Sequence, residues 1–322
     1  AAAPSETRAL TEHGFTYTQS GGVVTVTGCD GSCPRPLNIP VVLGGFFVTS
    51  IAVGAFDMEA VTELTIPTTV TSIGNVAFAS NAIATVTIPD SVTTIGIGAF
   101  EENSLTTVTL SDSLVSIGAQ AFRGNDLTSV TIPDSVLDIG SMAFEENLIA
   151  TVDLGSQVTS IGSYAFADNA LTTLTIPASV AAIGDSAFEL NSLTSVDFLG
   201  NAPEFGLMVF YGNSGLNSVT RSHLATGWSS TWSGEPVVIR DVRAAATVKP
   251  TVRGTAVVGN TLTAVKGTWT GYPTPTYTYQ WYACTSAVSA ARGTVPTSCR
   301  RIAGATRSTF KLTSAQRGKY VT

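Results

Sequence analysis

The chain has 322 residues, 44% hydrophobic and only 12% charged, with 30 glycines and 14 prolines. That composition buries a sizeable core and excludes wholesale disorder, and no apolar run approaches the roughly 18 residues of a membrane-spanning helix. The net charge of −7 argues against nucleic acid as a partner of the whole molecule, because that binding is driven by phosphate neutralisation.

The charge is unevenly placed. Residues 1–44 carry −1, residues 45–220 carry 18 acids against the single base Arg123, and residues 221–322 carry 13 bases against Glu235 and Asp241. Opposite signs in the two halves suggest two domains, or a contact between an acidic and a basic part. The plainer explanation is a set of differently solvated faces.

In chain order, Ala1-Ala2-Ala3-Pro4 lacks a basic, apolar leader and resembles a mature terminus after signal-peptide removal. Cys29 with Cys33 and Cys284 with Cys299 form two local pairs, which fits disulfides in an exported chain. Zinc is the alternative, but it wants four close Cys or His ligands, and His13 and His223 lie far apart in the sequence.

A 22-residue period then governs the chain. Phe recurs at 56, 78, 100, 122, 144, 166, 188 and 210, Asn three residues later at 81 through 213, and Ile five before Phe at 51 through 183. In the fullest unit, Leu127 to Asn147, the Val130-Thr131-Ile132 end alternates like a short strand with one buried face. Pro133 stops the ladder, and Asp134 and Ser135 are turn formers. Gly140 either takes a conformation that a Cβ resists or permits close backbone approach. Ala143 and Phe144 fill the interior, and Asn147 is placed to bond the otherwise unpaired backbone of neighbouring turns. One such unit cannot bury its own apolar stripe, so stacking makes the core. About eight coils at roughly 4.8 Å each give a solenoid about 35–40 Å long.

On the recurring LTxVTIPxSVxxIGxxAFxxN units across residues 51–213, the chain resembles the bacterial BspA-like leucine-rich repeat proteins. The resemblance implies an opening hairpin cap from Phe15-Thr16-Tyr17, Val23 to Gly28, Ile39-Pro40 and Gly44 to Ile51. It also implies a closing segment from Phe198 to Pro203 and from Thr226 to Trp232. Caps are physically required, because an open solenoid end exposes core and strand edges.

From about Ala244 the period ends and short β-rich runs follow at 261–264, 277–281 and 309–312. VGNTLTAVKGTWTG, YTYQWYAC and IAGATRSTFKLTSAQRGKYVT resemble a bacterial immunoglobulin-like surface module, with Trp281 as core aromatic and Tyr320 opening a late strand. A further strand is expected after Thr322, so the module reads as truncated, or else its missing strand comes from elsewhere, and an uncovered edge there would favour self-association.

Catalytic motifs are absent: there is no H-E-x-x-H, G-x-S-x-G or phosphate loop, and Ser308-x-x-Lys311 matches a penicillin-binding motif by spacing alone. Glu101-Glu102 and Glu145-Glu146 lie two coils apart with Arg123 at the matching place between them, which predicts a stacked charge ladder rather than a glycosidase pair. Asp90, Asp112 and Asp134 share one position in three coils, as a weak calcium site or as turn residues. Thr68, Ser156 and Ala178 continue that column without charge and favour the turn.

The outward residues of the predicted strands are the most informative surface. They run Thr85/Thr87, Thr107/Thr109, Ser129/Thr131 and Thr173/Thr175, with Glu63/Thr65, Thr151/Asp153 and Ser195/Asp197 around them. With no aromatic or Arg anchor, this face suits a weak, hydroxyl-rich or carbohydrate contact better than a tight protein partner. The Thr-x-Thr spacing also resembles an ice-binding lattice, which Glu63, Asp153 and Asp197 interrupt, and Thr is in any case a favoured strand residue.

The sequence therefore predicts a mainly β protein without cofactor or metal. Residues 1–43 form a leader and hairpin cap, 44–220 a leucine-rich repeat solenoid, 221–243 a closing cap and linker, and 244–322 an incomplete immunoglobulin-like β-sandwich. By resemblance it is an extracellular, secreted or cell-surface protein for adhesion or recognition, not an enzyme. Its partners are a protein or carbohydrate ligand or a second copy of itself, and neither nucleic acid nor a membrane span is expected.

Overall fold

The computed structural model describes residues 9–222, 225–229, 231–232, 235–240, 245–248, 251–266, 268–270, 278–286 and 297–322. His223 lies outside them. The chain divides into two compact units, 1–240 and 241–322.

The first unit opens with an antiparallel hairpin, Phe15–Ser20 against Val23–Cys29, flanked by Leu10–Glu12. Val23–Cys29 then pairs in parallel with Phe46–Ile51, and from there a single ladder steps through the solenoid. Its rungs are two-residue strands: Ser72–Ile73, Thr94–Ile95, Ser116–Ile117, Asp138–Ile139, Ser160–Ile161, Ala182–Ile183 and Glu204–Phe205. Ile pairs with Ile at every step from 51 to 183, so the register is the 22-residue period itself. Counting the cap strand, the described residues stack about nine turns rather than the eight expected. The hairpin supplies a rung of its own.

This Ile-Gly ladder is the longest sheet, whereas the sequence points to the Val-Thr-Ile segments. Those segments do form strands, but in smaller groups. Thr85–Thr87 pairs with Thr107–Thr109, Ser129–Thr131 with Thr151–Asp153, and Thr173–Ile176 with Ser195–Phe198. The last group continues in parallel through Val219–Ser222 to Glu235–Arg240, where Thr231–Trp232 turns back antiparallel and closes that edge. Phe198, Phe205 and Trp228 meet beside it, with ring centroids 4.7 to 5.9 Å apart.

Three columns of identical side chains hold the coils together. The eight Phe rings from 56 to 210 stack in one file at 5.2 to 5.6 Å, tilted by at most 21°. A ring in such a file is in contact above and below, so the repeat spacing converts directly into buried area. Each Asn uses its whole amide. Asn147 Nδ2 donates to the carbonyls of Phe122, Phe144 and Glu145, while its Oδ1 accepts from Leu127 N–H. Asn103, Asn125, Asn191 and Asn213 repeat that arrangement, satisfying the carbonyls of Phe78, Phe100, Phe166 and Phe188 and the N–H groups of Leu105, Leu171 and Leu193. The Ile-Gly column permits close approach rather than an unusual backbone: a Cβ on Gly140 would lie 2.4 Å from the Ala119 nitrogen of the preceding coil.

Left-handed backbone occurs elsewhere, in two columns that bracket Phe. Val76, Gln120, Met142, Tyr164, Ser186 and Met208 form one, and Met58, Ser80, Glu102, Glu146, Asp168 and Leu190 the other, all with φ between 47° and 59°. Glycine takes these places only at 54, 98, 124 and 212. A side chain at positive φ costs about 1–2 kcal/mol. Here the arc is held by backbone bonds to the next coil, such as Met142 N–H to Ser163 and Phe144 N–H to Ala165.

In the second unit the described strands form small antiparallel sheets. Thr251–Arg253, Thr261–Val265 and Thr309–Lys311 make one, Cys299–Arg301, Tyr282–Cys284 and Tyr320–Val321 a second, and Ala245–Val248 pairs with Thr268–Thr270. Trp281 is buried with Leu262 and Leu312, and its Nε1–H donates to Arg307 O. The expected strand at Tyr320 is present and paired with Tyr282–Cys284.

Candidate binding surface

Alternation along each short strand puts the middle residue into the core and its neighbours into solvent. Val86, Val130 and Leu174 are buried, while Thr85, Thr87, Thr107, Thr109, Ser129, Thr131, Thr173 and Thr175 are exposed. Parallel in-register pairing sets Thr107 beside Thr85, Thr109 beside Thr87, Thr151 beside Ser129 and Ser195 beside Thr173. The result is paired rows of hydroxyls at the coil spacing of roughly 4.8 Å. Asp153 beside Thr131 and Asp197 beside Thr175 break the rows with carboxylates.

The ridge after the Phe column is acidic. Arg123 Nη1 lies 3.1 Å from Glu101 and its Nε 2.9 Å from Glu145, which is the expected ladder. The cluster is larger than expected, since Glu146 at 2.8 Å and Glu102 at 3.8 Å join it. Burial disfavours the guanidinium's charge, but hydrogen bonds to Glu145, Glu101 and Glu146 outweigh it and hold the Arg123 pKa above its ordinary value. The four carboxylates are thus tied to one cation, as a charge ladder along the ridge.

The aspartate column sits in turns. Asp90 Oδ1 accepts from Asp112 N–H at 3.3 Å, and Asp134 Oδ1 accepts from Ser156 N–H at 2.7 Å. That backbone bond holds the Asp134 carboxyl below the usual range. Among the described residues no group of three or more His, Cys, Asp or Glu is gathered as a metal site. Both cysteine pairs are disulfides, Cys29–Cys33 and Cys284–Cys299. His13 is exposed beside Glu12. Ser308 and Lys311 flank and end a short strand with no histidine nearby in sequence.

The sequence does not reveal a cleft of about 600 Å³ in the second unit, lined by Thr278, Tyr279, Gln280, Tyr282, Arg301 and Thr306. The one available signal is the alternation around Trp281, which turns Gln280 and Tyr282 to the face opposite the buried indole.

Six copies of the BspA type leucine rich repeat region match residues 49–155 and 115–227, together more than half the chain. The protein belongs to the BspA-type leucine-rich repeat family. No curated protein matches it. Among solved structures it is similar to a leucine-rich repeat protein from Bacteroides ovatus, at 25% identity over 72% of this chain and 76% of that one, with a TM-score of 0.42. The T. pallidum leucine-rich repeat protein is 24% identical over 65% and 91%, with a TM-score of 0.47. A leucine-rich cell surface protein from Faecalibacterium prausnitzii is 21% identical over 75% and 96%, with a TM-score of 0.32. No helix among the described residues is long and apolar enough to cross a membrane.

Proposed function

We propose that this BspA-type repeat protein is an extracellular, non-catalytic recognition protein whose solenoid displays the hydroxyl face to a protein or glycan. The observation that carries this reading is a division of labour within each coil. Phe, Asn and Ile-Gly hold the stack from inside, while the exposed Thr and Ser rows join it through their backbones and turn their hydroxyls outward. Hydroxyls both donate and accept, and fixed on a stiff lattice they recognise polar surfaces with little ordering cost. Two disulfides support an oxidising compartment. Within this reading residues 1–43 and 221–243 act as caps. Residues 244–322 are an immunoglobulin-like spacer or stalk around Trp281.

The test keeps the strands and removes the hydroxyls. Thr85→Val, Thr87→Val, Thr107→Val and Thr109→Val together preserve β-propensity and shape. Glycan arrays and immobilised matrix proteins are expected to lose the signal they give with the parent chain, at an unchanged melting temperature. A quadruple variant that binds like the parent places recognition elsewhere.

A further inference from the structure

We propose that the cleft of the second unit is a separate binding site for a saccharide that carries carboxylate groups. The argument starts from charge. Between residues 244 and 322 there are ten Lys and Arg and no Asp or Glu, so no side chain within that stretch can neutralise an arginine there. Arg301 stands on the cleft, and it is not left loose. Its Nε–H donates to Gln280 Oε1 at 2.6 Å, and Gln280 is itself fixed, because its Nε2 donates to Ile302 O at 2.8 Å and Trp281 O at 3.0 Å. The amide therefore sets the plane of the guanidinium and leaves its terminal N–H groups for a ligand. A guanidinium fork matches a carboxylate in two parallel bonds, which is the strong form of that contact.

The neighbours define the rest of the ligand. Tyr282 lies directly across the strand pair from Arg301, and Tyr279 and Tyr282 both line the cleft. Aromatic rings bring apolar faces against which a sugar ring can stack, and the phenols with Thr278 and Thr306 bring hydroxyl partners. A cleft of this size lies within the range of small-molecule sites. Two residues along the same strand pair, Cys284 stands opposite Cys299 and is joined to it. That bond fixes the hairpin register, so Tyr282 and Arg301 face each other before any ligand arrives. This site is independent of the hydroxyl face of the solenoid.

Calorimetry on the full chain with two carboxylated probes, a hyaluronan hexasaccharide and a hexagalacturonate, tests the assignment against neutral chitohexaose and a hexaglutamate peptide. At least one carboxylated sugar is expected to bind, and to bind tenfold or more above chitohexaose and hexaglutamate. Arg301→Gln is expected to weaken it at least tenfold, and Tyr279→Ala severalfold, at unchanged melting temperatures. Arg317→Gln, which removes an exposed charge of the same unit that does not line the cleft, is expected to bind these probes like the parent; Arg301 and the solenoid hydroxyls are changed in separate variants, so failure of either site is read separately. Equal binding of chitohexaose removes the carboxylate from the argument. Hexaglutamate binding as well as the sugars makes the site a receptor for acidic peptides instead. Absence of binding by both carboxylated sugars, or parent-like binding by Arg301→Gln, overturns the proposal.

Discussion

The two units solve the same problem, a β-rich chain with little charge, in opposite ways. The solenoid repeats one answer, and its buried cluster runs without interruption from Phe15 to Val219 through files of Phe and Ile. Among the described residues the second unit buries Leu262, Trp281 and Leu312, and relies on a cross-strand disulfide at Cys284–Cys299. Repetition makes stability a sum of like interfaces, each coil covering the next. A small non-repeating unit has no such sum and needs a covalent tie. The difference also sorts surfaces: the repeating unit offers a broad periodic face, and the tied unit a local cleft.

The largest expected effect tests the first half of that contrast. Phe144 is fully buried between Phe122 at 5.3 Å and Phe166 at 5.2 Å, so Phe144→Ala opens a cavity inside the file. The expected loss is about 3–5 kcal/mol, confined to unfolding of the solenoid and measured by denaturant titration. A loss under about 1 kcal/mol means that the coils are held by something other than the ring stack. Next in size is the tie. Cys284→Ser with Cys299→Ser removes a link at a separation of 15 residues, for which chain entropy gives about 3 kcal/mol. Cys29→Ser with Cys33→Ser opens a loop of separation 4 and is expected to cost less. Calorimetric scans that show the solenoid transition falling in the first variant, or both pairs acting alike, contradict the division of roles.

The same contrast explains what the sequence makes legible. A 22-residue period without insertion announces the solenoid, and the Phe and Asn files, the exposed Thr rows and the Glu-Arg-Glu ladder all follow from position in the repeat. The Ile-Gly ladder does not, because strands of two residues are too short to show an alternating pattern, although they form the longest sheet. The left-handed columns are equally hidden. Glycine marks only Gly54 and Gly98 in one and Gly124 and Gly212 in the other, while hydrogen bonds between coils hold residues such as Val76 and Tyr164 in the same backbone. In the second unit no repetition averages the signal. The cleft arises from a strand pairing, Tyr282 with Arg301, that joins residues 19 apart through the disulfide register.

The smallest expected effect separates what the coils bury from what they carry outside. Arg123 is the one cation of residues 45–220 and lies among four glutamates, yet its side chain keeps 25% of its exposure. Arg123→Ala removes a guanidinium from a half-wet ridge and leaves Glu101, Glu102, Glu145 and Glu146 facing one another. Solvent screens both the lost attraction and the new repulsion, so the loss is expected to be on the order of 1 kcal/mol, well below that of Phe144→Ala in the adjacent coil. Both contributions are Coulombic, so the difference from the parent should shrink as sodium chloride rises from 0.05 M to 1 M, where the Debye length falls to about 3 Å. Denaturation curves at both salt concentrations check this. A salt-independent loss as large as that of Phe144→Ala would make the charge ridge, and not the ring file, the element that joins the coils.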